Sequence, residues 1–341
     1  MMRQVWLDGP TYDDLLRYNR LIFLSLLGLP VCVVGIVTSG LSICMFCEDK
    51  TTPRTTRKLL IILSLTDVLY IFLCILVFQP MNFCSRDCPL RWPVITHTIV
   101  PLGSILEGFR NLLVVLIAVE RFLVVRFPFR SKVWWNGKLT NGLIAATFGF
   151  SVLLRLSFIC YAAVKIVRPE WSELKSWLWQ IHCFTDGILV TLIPLIILIV
   201  CSLQIGRCQQ RSIRFQRGQT EKYQTFINGT SKGSASSNAR RLKLTHGLLI
   251  VIGTFVLFML PLSMLQLLYL YFLLHRTCIS MVCLNICANV VALGSQINST
   301  ANFFVYIVYW GKYRKMLRQM LRCQKSPQFV FSSRECTNSQ Q

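Results

Sequence analysis

Charged residues interrupt runs that are otherwise apolar, among them Asp67, Glu107, Arg110, Glu120, Arg121 and, in the fourth run, Arg155. A charge in a segment of membrane length is costly to desolvate, so it persists where it has a partner, a cavity or water. Asp67 closes the stretch Leu63-Ser64-Leu65-Thr66-Asp67, deep among Leu and Ile. Glu107 and Arg110 stand at i, i+3, a spacing that lets two side chains meet on one helix face. Farther along, Asn298, Ser299 and Asn302, followed by Tyr306, put three hydrogen-bonding side chains and a phenol into one apolar run. Packing against lipid does not explain that pattern, whereas an internal polar network does. The chemistry on offer is polar coupling between helices. No Ser-His-Asp set or working pair of carboxylates is recognisable, and no CxxC has a second CxxC at zinc spacing, so neither an enzyme, a metal site nor a cofactor is expected.

The elements that must hold these residues follow from composition. The chain has 341 residues, 54% hydrophobic and only 15% charged. Seven apolar runs lie at roughly 21–46, 59–80, 93–125, 139–164, 182–206, 242–273 and 279–310, each long enough to cross a bilayer as a helix. The net charge of +22 does not point to nucleic acid, because the basic residues are dispersed in the segments between runs. Lys and Arg concentrate after the first, third and fifth runs and in the C-terminal tail, which places that side in the cytoplasm and the N-terminus outside. Most of the fifteen cysteines lie within apolar runs, where Cys behaves as a small hydrophobe. The expected fold class is therefore all-α, an integral-membrane seven-transmembrane helix bundle.

Three parts are expected. Residues 1–20, with Asp8, Asp13 and Asp14, read as a short extracellular tail rather than a signal peptide. Residues 21–310 form the membrane domain, in which 206–240, rich in Ser, Thr, Gly and Arg, reads as a mobile linker. In 311–341, Tyr313, Met316, Leu317, Met320 and Leu321 recur at helical spacing among Lys and Arg, so an amphipathic eighth helix should lie on membrane lipids. Cys323 at its end is a lipidation candidate. Pro194 and Pro261 are expected to kink the fifth and sixth helices.

Several motifs carry a resemblance. Glu120-Arg121-Phe122 resembles the (D/E)R(Y/F) signature of rhodopsin-like G-protein-coupled receptors, Leu63 to Asp67 resembles their LSLAD, and Asn298 to Tyr306 resembles NSxxNPxxY with Phe303 for Pro. Phe255, Met259 and Pro261 are similar to FxxCWxP, with Met259 in the Trp position. The stretch Asn298 to Arg314 is most similar to invertebrate FMRFamide-type neuropeptide receptors. The resemblance implies a plasma-membrane receptor for an extracellular peptide, coupled to a heterotrimeric G protein through Glu120, Arg121, Phe122 and Tyr306, with arrestin and receptor kinases as further partners. Phe255, Met259, Pro261 and Pro194 would be its switch and kink positions.

The resemblance also frames the ligand side. Gly103 stands where aminergic relatives carry an Asp, and Gln296 stands where opsins carry the retinal Lys, so neither class is indicated. Gly103, Glu107, Trp177, Trp179 and Gln296 are the candidate ligand-facing residues; the Trp-rich stretch from Arg168 to Phe184 reads equally as an interfacial belt or as a lid. Relatives join the third helix to the second outer loop by a disulfide. Here Cys84 or Cys88 would pair with Cys183, or the first two would pair with each other, or the link is absent. Many relatives enclose a sodium ion beside the residue equivalent to Asp67. Arg110 is expected to reach Asp67 in its place, with Asn298, Ser299 and Asn302 completing the hydrogen bonds; the alternative is a simple pair with Glu107. Rival readings are a divergent receptor with raised basal signalling or a non-peptide ligand, and a seven-helix transporter or channel, for which no matching internal halves are found.

Overall fold

The computed structural model describes residues 15, 18–50, 52–83, 98–168, 170–224, 247, 249–261, 263–265, 267–268, 270–271 and 281–321. Among them the regular structure is helical: α1 Tyr18–Glu48, α2 Arg54–Phe83, α3 Val100–Arg126, α4 Pro128–Trp134, α5 Gly137–Leu154, α6 Leu156–Val167, α7 Ser172–Phe184, α8 Ile193–Gln224, α9 Leu249–Leu265, α10 Met281–Tyr309 and α11 Gly311–Leu321. Five described helices are long and apolar enough to cross a membrane, and α10, of comparable length, is made more polar by Ser295, Gln296, Asn298 and Asn302. The chain is an all-α seven-helix membrane bundle.

Polar residues are buried in the interior beside an apolar core, and many large apolar residues are exposed on the outer faces. Asp67, Arg110, Asn111, Gln296, Asn298 and Ser299 are buried, while Val37, Leu69, Leu153, Val200 and Leu257 are exposed on the outer faces. Lipid tails offer no hydrophobic gain for helix association, so close packing and interhelical hydrogen bonds hold such a bundle. Gly35 shows the packing: a Cβ built there would lie 2.5 Å from Thr300 Oγ1 and 2.6 Å from Ile71 Cδ1. Bare backbone lets α1 lie against α2 and α10. The main apolar core joins Phe46, Leu59, Leu63, Leu113, Ala118, Leu198, Phe255, Met259 and Phe303.

Three segments differ from their sequence expectation. The fourth run is two helices meeting at Arg155, whose backbone turns out of the helical region at ψ 1°. Its guanidinium leaves the helix face to pair with Asp186 at 2.5 Å, and that tie accompanies the break. The segment around Trp177 is not a loop but helix α7, which runs through a π-helical stretch, Thr185–Leu192, into α8. The wide turn precedes Pro194, which lacks an N–H, and the Thr191 hydroxyl donates to the Asp186 carbonyl at 2.9 Å within it. Finally α8 continues to Gln224, well into the stretch 206–240 read as a linker; the remainder of that stretch lies outside the described residues.

Candidate functional site

A polar axis runs between α2, α3 and α10. On α10, Ser295, Ser299 and Asn302 recur at i, i+4, i+7 and so share one face, which α2 and α3 meet. Arg110 is fully buried at 1% exposure and lies 3.9 Å from the Glu107 carboxylate. One guanidinium nitrogen donates to the Ser295 carbonyl at 3.2 Å and to the Ser299 hydroxyl, and the other donates to Ser295 Oγ at 2.8 Å. Ser295 in turn donates to Glu107 Oε1 at 2.8 Å. The Tyr70 ring closes the opposite side, with the guanidinium carbon 4.8 Å from its centroid. A buried arginine stays charged, so it requires this enclosure of acceptors.

Asp67 sits below that cluster and takes a different donor. Asn302 Nδ2 donates to its Oδ2 at 3.0 Å, while Oδ1 is buried without a hydrogen-bond partner. Arg110 therefore does not pair directly with Asp67 as expected; Ser295, Ser299 and Glu107 take its two terminal nitrogens, while its Nε is buried without a hydrogen-bond partner. Asn298 is buried, but its Oδ1 is unpartnered and it does not complete the guanidinium's hydrogen bonds. Ser295 and Tyr70 were not anticipated. The signal for Ser295 in the sequence is the i, i+4 pair of serines, Ser295 and Ser299, in a polar stretch of the last run.

At the other end of α3, Glu120 and Arg121 are both buried, at 1% and 3% exposure, with 3.3 Å between carboxylate and guanidinium. Thr55 and Thr56, on the first turn of α2, each donate a hydroxyl to Glu120 Oε1 at 2.9 Å. The pair is thus held by α2. Phe122 lines a groove of about 420 Å³ with Arg126, Val200, Gln204, Arg207 and Cys208. Tyr306 does not join this group: its ring packs edge-on against Phe46 at 5.1 Å and lies parallel to Trp310 at 5.4 Å.

The eighth helix has an anchor that the sequence reading missed. Asp49, buried between α1 and α2, accepts hydrogen bonds from the Tyr313 hydroxyl at 2.8 Å, from Thr52 Oγ1 at 2.7 Å and from Lys312. Burial, with the Asp49 carboxylate beside it, pushes the Tyr313 phenol well above its ordinary range, so it remains a donor throughout physiological pH. An acid in a basic turn was the available signal.

The remaining candidates separate. Gly103 has open space where a side chain would be. Gln296 is fully buried against α1, its amide near Gly28, and does not face the same space as Glu107; being one residue past Ser295, it turns toward the next helix. Trp179 packs with Phe158, Tyr161 and His182, whereas Trp177 is 66% exposed, so the two do not share one surface. Phe255 and Met259 are in the main core, Pro194 is buried and Pro261 is exposed. Cys183 is buried; its candidate partners Cys84 and Cys88, and the lipidation candidate Cys323, lie outside the described residues.

The profile of the 7 transmembrane receptor (rhodopsin family) matches residues 39–306 of the chain. Rat somatostatin receptor type 5 is 23% identical over 89% of this chain and 78% of the receptor. The human S-geranylgeranyl-glutathione receptor is 27% identical over 55% of this chain and 56% of its own length. Mouse lysophosphatidic acid receptor 4 is 23% identical over 56% of this chain and 53% of its own length. Against the latter two, the chain spans about half the length of the relative.

Proposed function

This chain belongs to the rhodopsin family of seven-transmembrane receptors, and from that membership we propose that it binds an extracellular ligand, a short neuropeptide of FMRFamide type, and activates a heterotrimeric G protein. In this reading the Arg121 end is cytoplasmic, in keeping with the Lys and Arg of its connections. The observation that carries the proposal is the buried Glu120–Arg121 pair with Thr55 and Thr56 donating to it. A charge pair buried at the end of a membrane helix, tied by two hydroxyls of a neighbour, has a definite resting arrangement. It also has a definite alternative, in which Arg121 turns to a partner protein. A ligand that binds that alternative more tightly shifts the population toward it. Coupling would proceed through Glu120, Arg121 and Phe122, with Tyr306 and the α11 anchor setting the adjoining helix ends.

The peptide reading is supported by the likeness of the stretch from Asn298 to Arg314 to FMRFamide-type receptors and by the match along most of a somatostatin receptor. The test is a library of amidated peptides applied to cells expressing the chain, reading calcium and cyclic AMP together. An amidated peptide should signal in these cells and not in cells lacking the chain. Signalling by lysophospholipids, with silence from every peptide, would replace the peptide reading with a lipid one.

A further inference from the structure

The groove beside Phe122 changes character along both helices that form it, and in the same direction. On α8, Ile193, Ile196, Val200 and Leu203 recur at i, i+3, i+7, i+10 and are all exposed, while Leu198, Cys201 and Ile205 are buried. That exposed stripe faces lipid. Arg207 stands four residues after Leu203 and continues the same stripe, one turn further on. The groove, lined by Val200, Gln204 and Arg207 of α8 and by Phe122 and Arg126 of α3, therefore opens on the outer face of the bundle and not into its interior. From Val200 to Arg207 its wall passes from apolar to amide to cationic within about 10 Å of helix rise. Phe122 and Arg126 repeat the change one turn apart on α3. Such a gradient matches the passage from acyl chains into headgroups, a layer about 5–8 Å deep on each side of a bilayer. Among the described residues neither guanidinium has an acid. Both side chains are exposed, and the ion pairs are made by other arginines and by Lys312. Arg126 lies over the Phe127 ring at 5.9 Å, and Glu120 is already committed to Arg121, Thr55 and Thr56.

We infer that this groove is a binding site for an acidic phospholipid of the inner leaflet, its phosphate held by Arg126 and Arg207 and one acyl chain lying along Val200 and Phe122. A guanidinium presents a planar fork of donors that suits a phosphate, and here two of them line one groove from different helices. A soluble phosphate would use the cations alone and leave Val200 and Phe122 without a role, so the lining selects a lipid over a free anion. A zwitterionic headgroup would bring an ammonium up to the same two cations, so the lining also selects an acidic lipid over a neutral one. The inference rests on the orientation given above, with the Arg121 end in the cytoplasm, where acidic lipids concentrate. It does not depend on the identity of the extracellular ligand. Because the groove lies between the inner ends of α3 and α8, its occupant ties those two helix ends together beside the Glu120–Arg121 pair.

The test uses the purified full-length chain in detergent and three probes: dioctanoyl phosphatidic acid, dioctanoyl phosphatidylcholine, and glycerol phosphate, the soluble headgroup without tails. The first should raise the thermal midpoint, and the other two should not. Arg126→Gln with Arg207→Gln should raise the apparent Kd for phosphatidic acid roughly ten- to thirty-fold, the effect of two basic residues beside an acidic lipid. Arg130→Gln with Lys138→Gln removes the same charge from exposed positions outside the groove and should leave that Kd unchanged. Gln204→Trp fills the groove while keeping both arginines; it should also weaken the lipid, and it serves in place of the arginine variant should that one fail to fold. No response to phosphatidic acid, or an equal response to phosphatidylcholine or glycerol phosphate, overturns the inference and leaves the groove to a protein partner. Equal weakening by the control pair, or full binding in Gln204→Trp, reduces the effect to diffuse charge and overturns it too. The expected lipid pattern in a chain that couples to no G protein refutes the receptor reading and leaves the lipid site standing.

Discussion

Replacing Thr55 and Thr56 together by Val should raise ligand-free signalling. Each hydroxyl donates to Glu120 Oε1 at 2.9 Å, on a carboxylate that is only 1% exposed. Valine keeps the shape of threonine and deletes the donor, so the carboxylate loses two hydrogen bonds without a cavity opening. A hydrogen bond to a charged group contributes about 1.5–3 kcal/mol. Part of this is recovered when Glu120 turns more fully to Arg121 or to water. A net loss of about 1.5–2 kcal/mol of resting-state stability is therefore a reasonable working figure, and it corresponds to a shift of roughly ten- to thirty-fold in a two-state equilibrium. From a resting receptor that is active about 1% of the time, the double variant would be active on the order of 10–25% of the time. The assay is G-protein activation without ligand, normalised to surface receptor measured on intact cells. Thr55→Ser with Thr56→Ser retains both donors and should leave basal signalling unchanged. Unchanged basal output from the valine variant at equal surface expression would refute the idea that α2 holds the pair at rest.

Other perturbations separate anchoring from packing. Asp49→Ala leaves the Tyr313 hydroxyl buried without its acceptor, at about 1–3 kcal/mol, and should raise amide exchange across Gly311–Leu321 while the exchange of α3 stays level. Changing Lys315, Arg318 and Arg322 to Gln should reduce surface delivery or coupling more than removing everything after Cys323, because each basic residue near an anionic leaflet contributes about 1 kcal/mol; equal effects would dismiss the interfacial role of α11. Gly35→Val should lower the thermal midpoint of the purified chain by overpacking α1 against Thr300 and Ile71, at about 1–3 kcal/mol, whereas Gly40→Ala, with nothing near its missing Cβ, should be neutral.

The helices were legible because apolar run length is set by bilayer thickness and needs no tertiary information. The buried charges were legible for a related reason: Asp67, Arg110 and Glu120 cost too much in a lipid-facing position to be accidental. What the charges would bond to was not legible. Arg110 could be seen to need acceptors, but the choice among Asp67, Glu107 and the α10 serines turns on angular differences of one residue, and the structure gives it to Ser295, Ser299 and Glu107. Gln296 fails as a cavity residue by the same one-residue rotation. Thr55, Thr56 and Asp49 escaped because short polar residues at helix ends read as caps, and only the fold shows that their acceptors and donors come from other helices.

The fate of Asp67 follows from where Arg110 went. The carboxyl has one oxygen bonded to Asn302 and one buried with no hydrogen-bond partner. Arg110 is the neighbouring cation, and the sequence resemblance implies a sodium ion at this place in relatives. Arg110→Ser removes that charge and leaves both Glu107 and Asp67 facing one small polar space; losing one partner of a buried pair costs about 3–5 kcal/mol, so this variant should fold poorly. Adding Glu107→Gln removes the surplus carboxylate and leaves Asp67, Asn302 and a ring of hydroxyls at Ser295, Ser299 and the new serine, a set of oxygens suited to a small hard cation. The purified double variant should then gain thermal stability from sodium chloride over N-methylglucamine chloride at equal ionic strength, and the parent should show no such difference. A parent already stabilised by sodium over the larger cation would mean that the ion and the guanidinium coexist, and that Arg110 does not stand in its place.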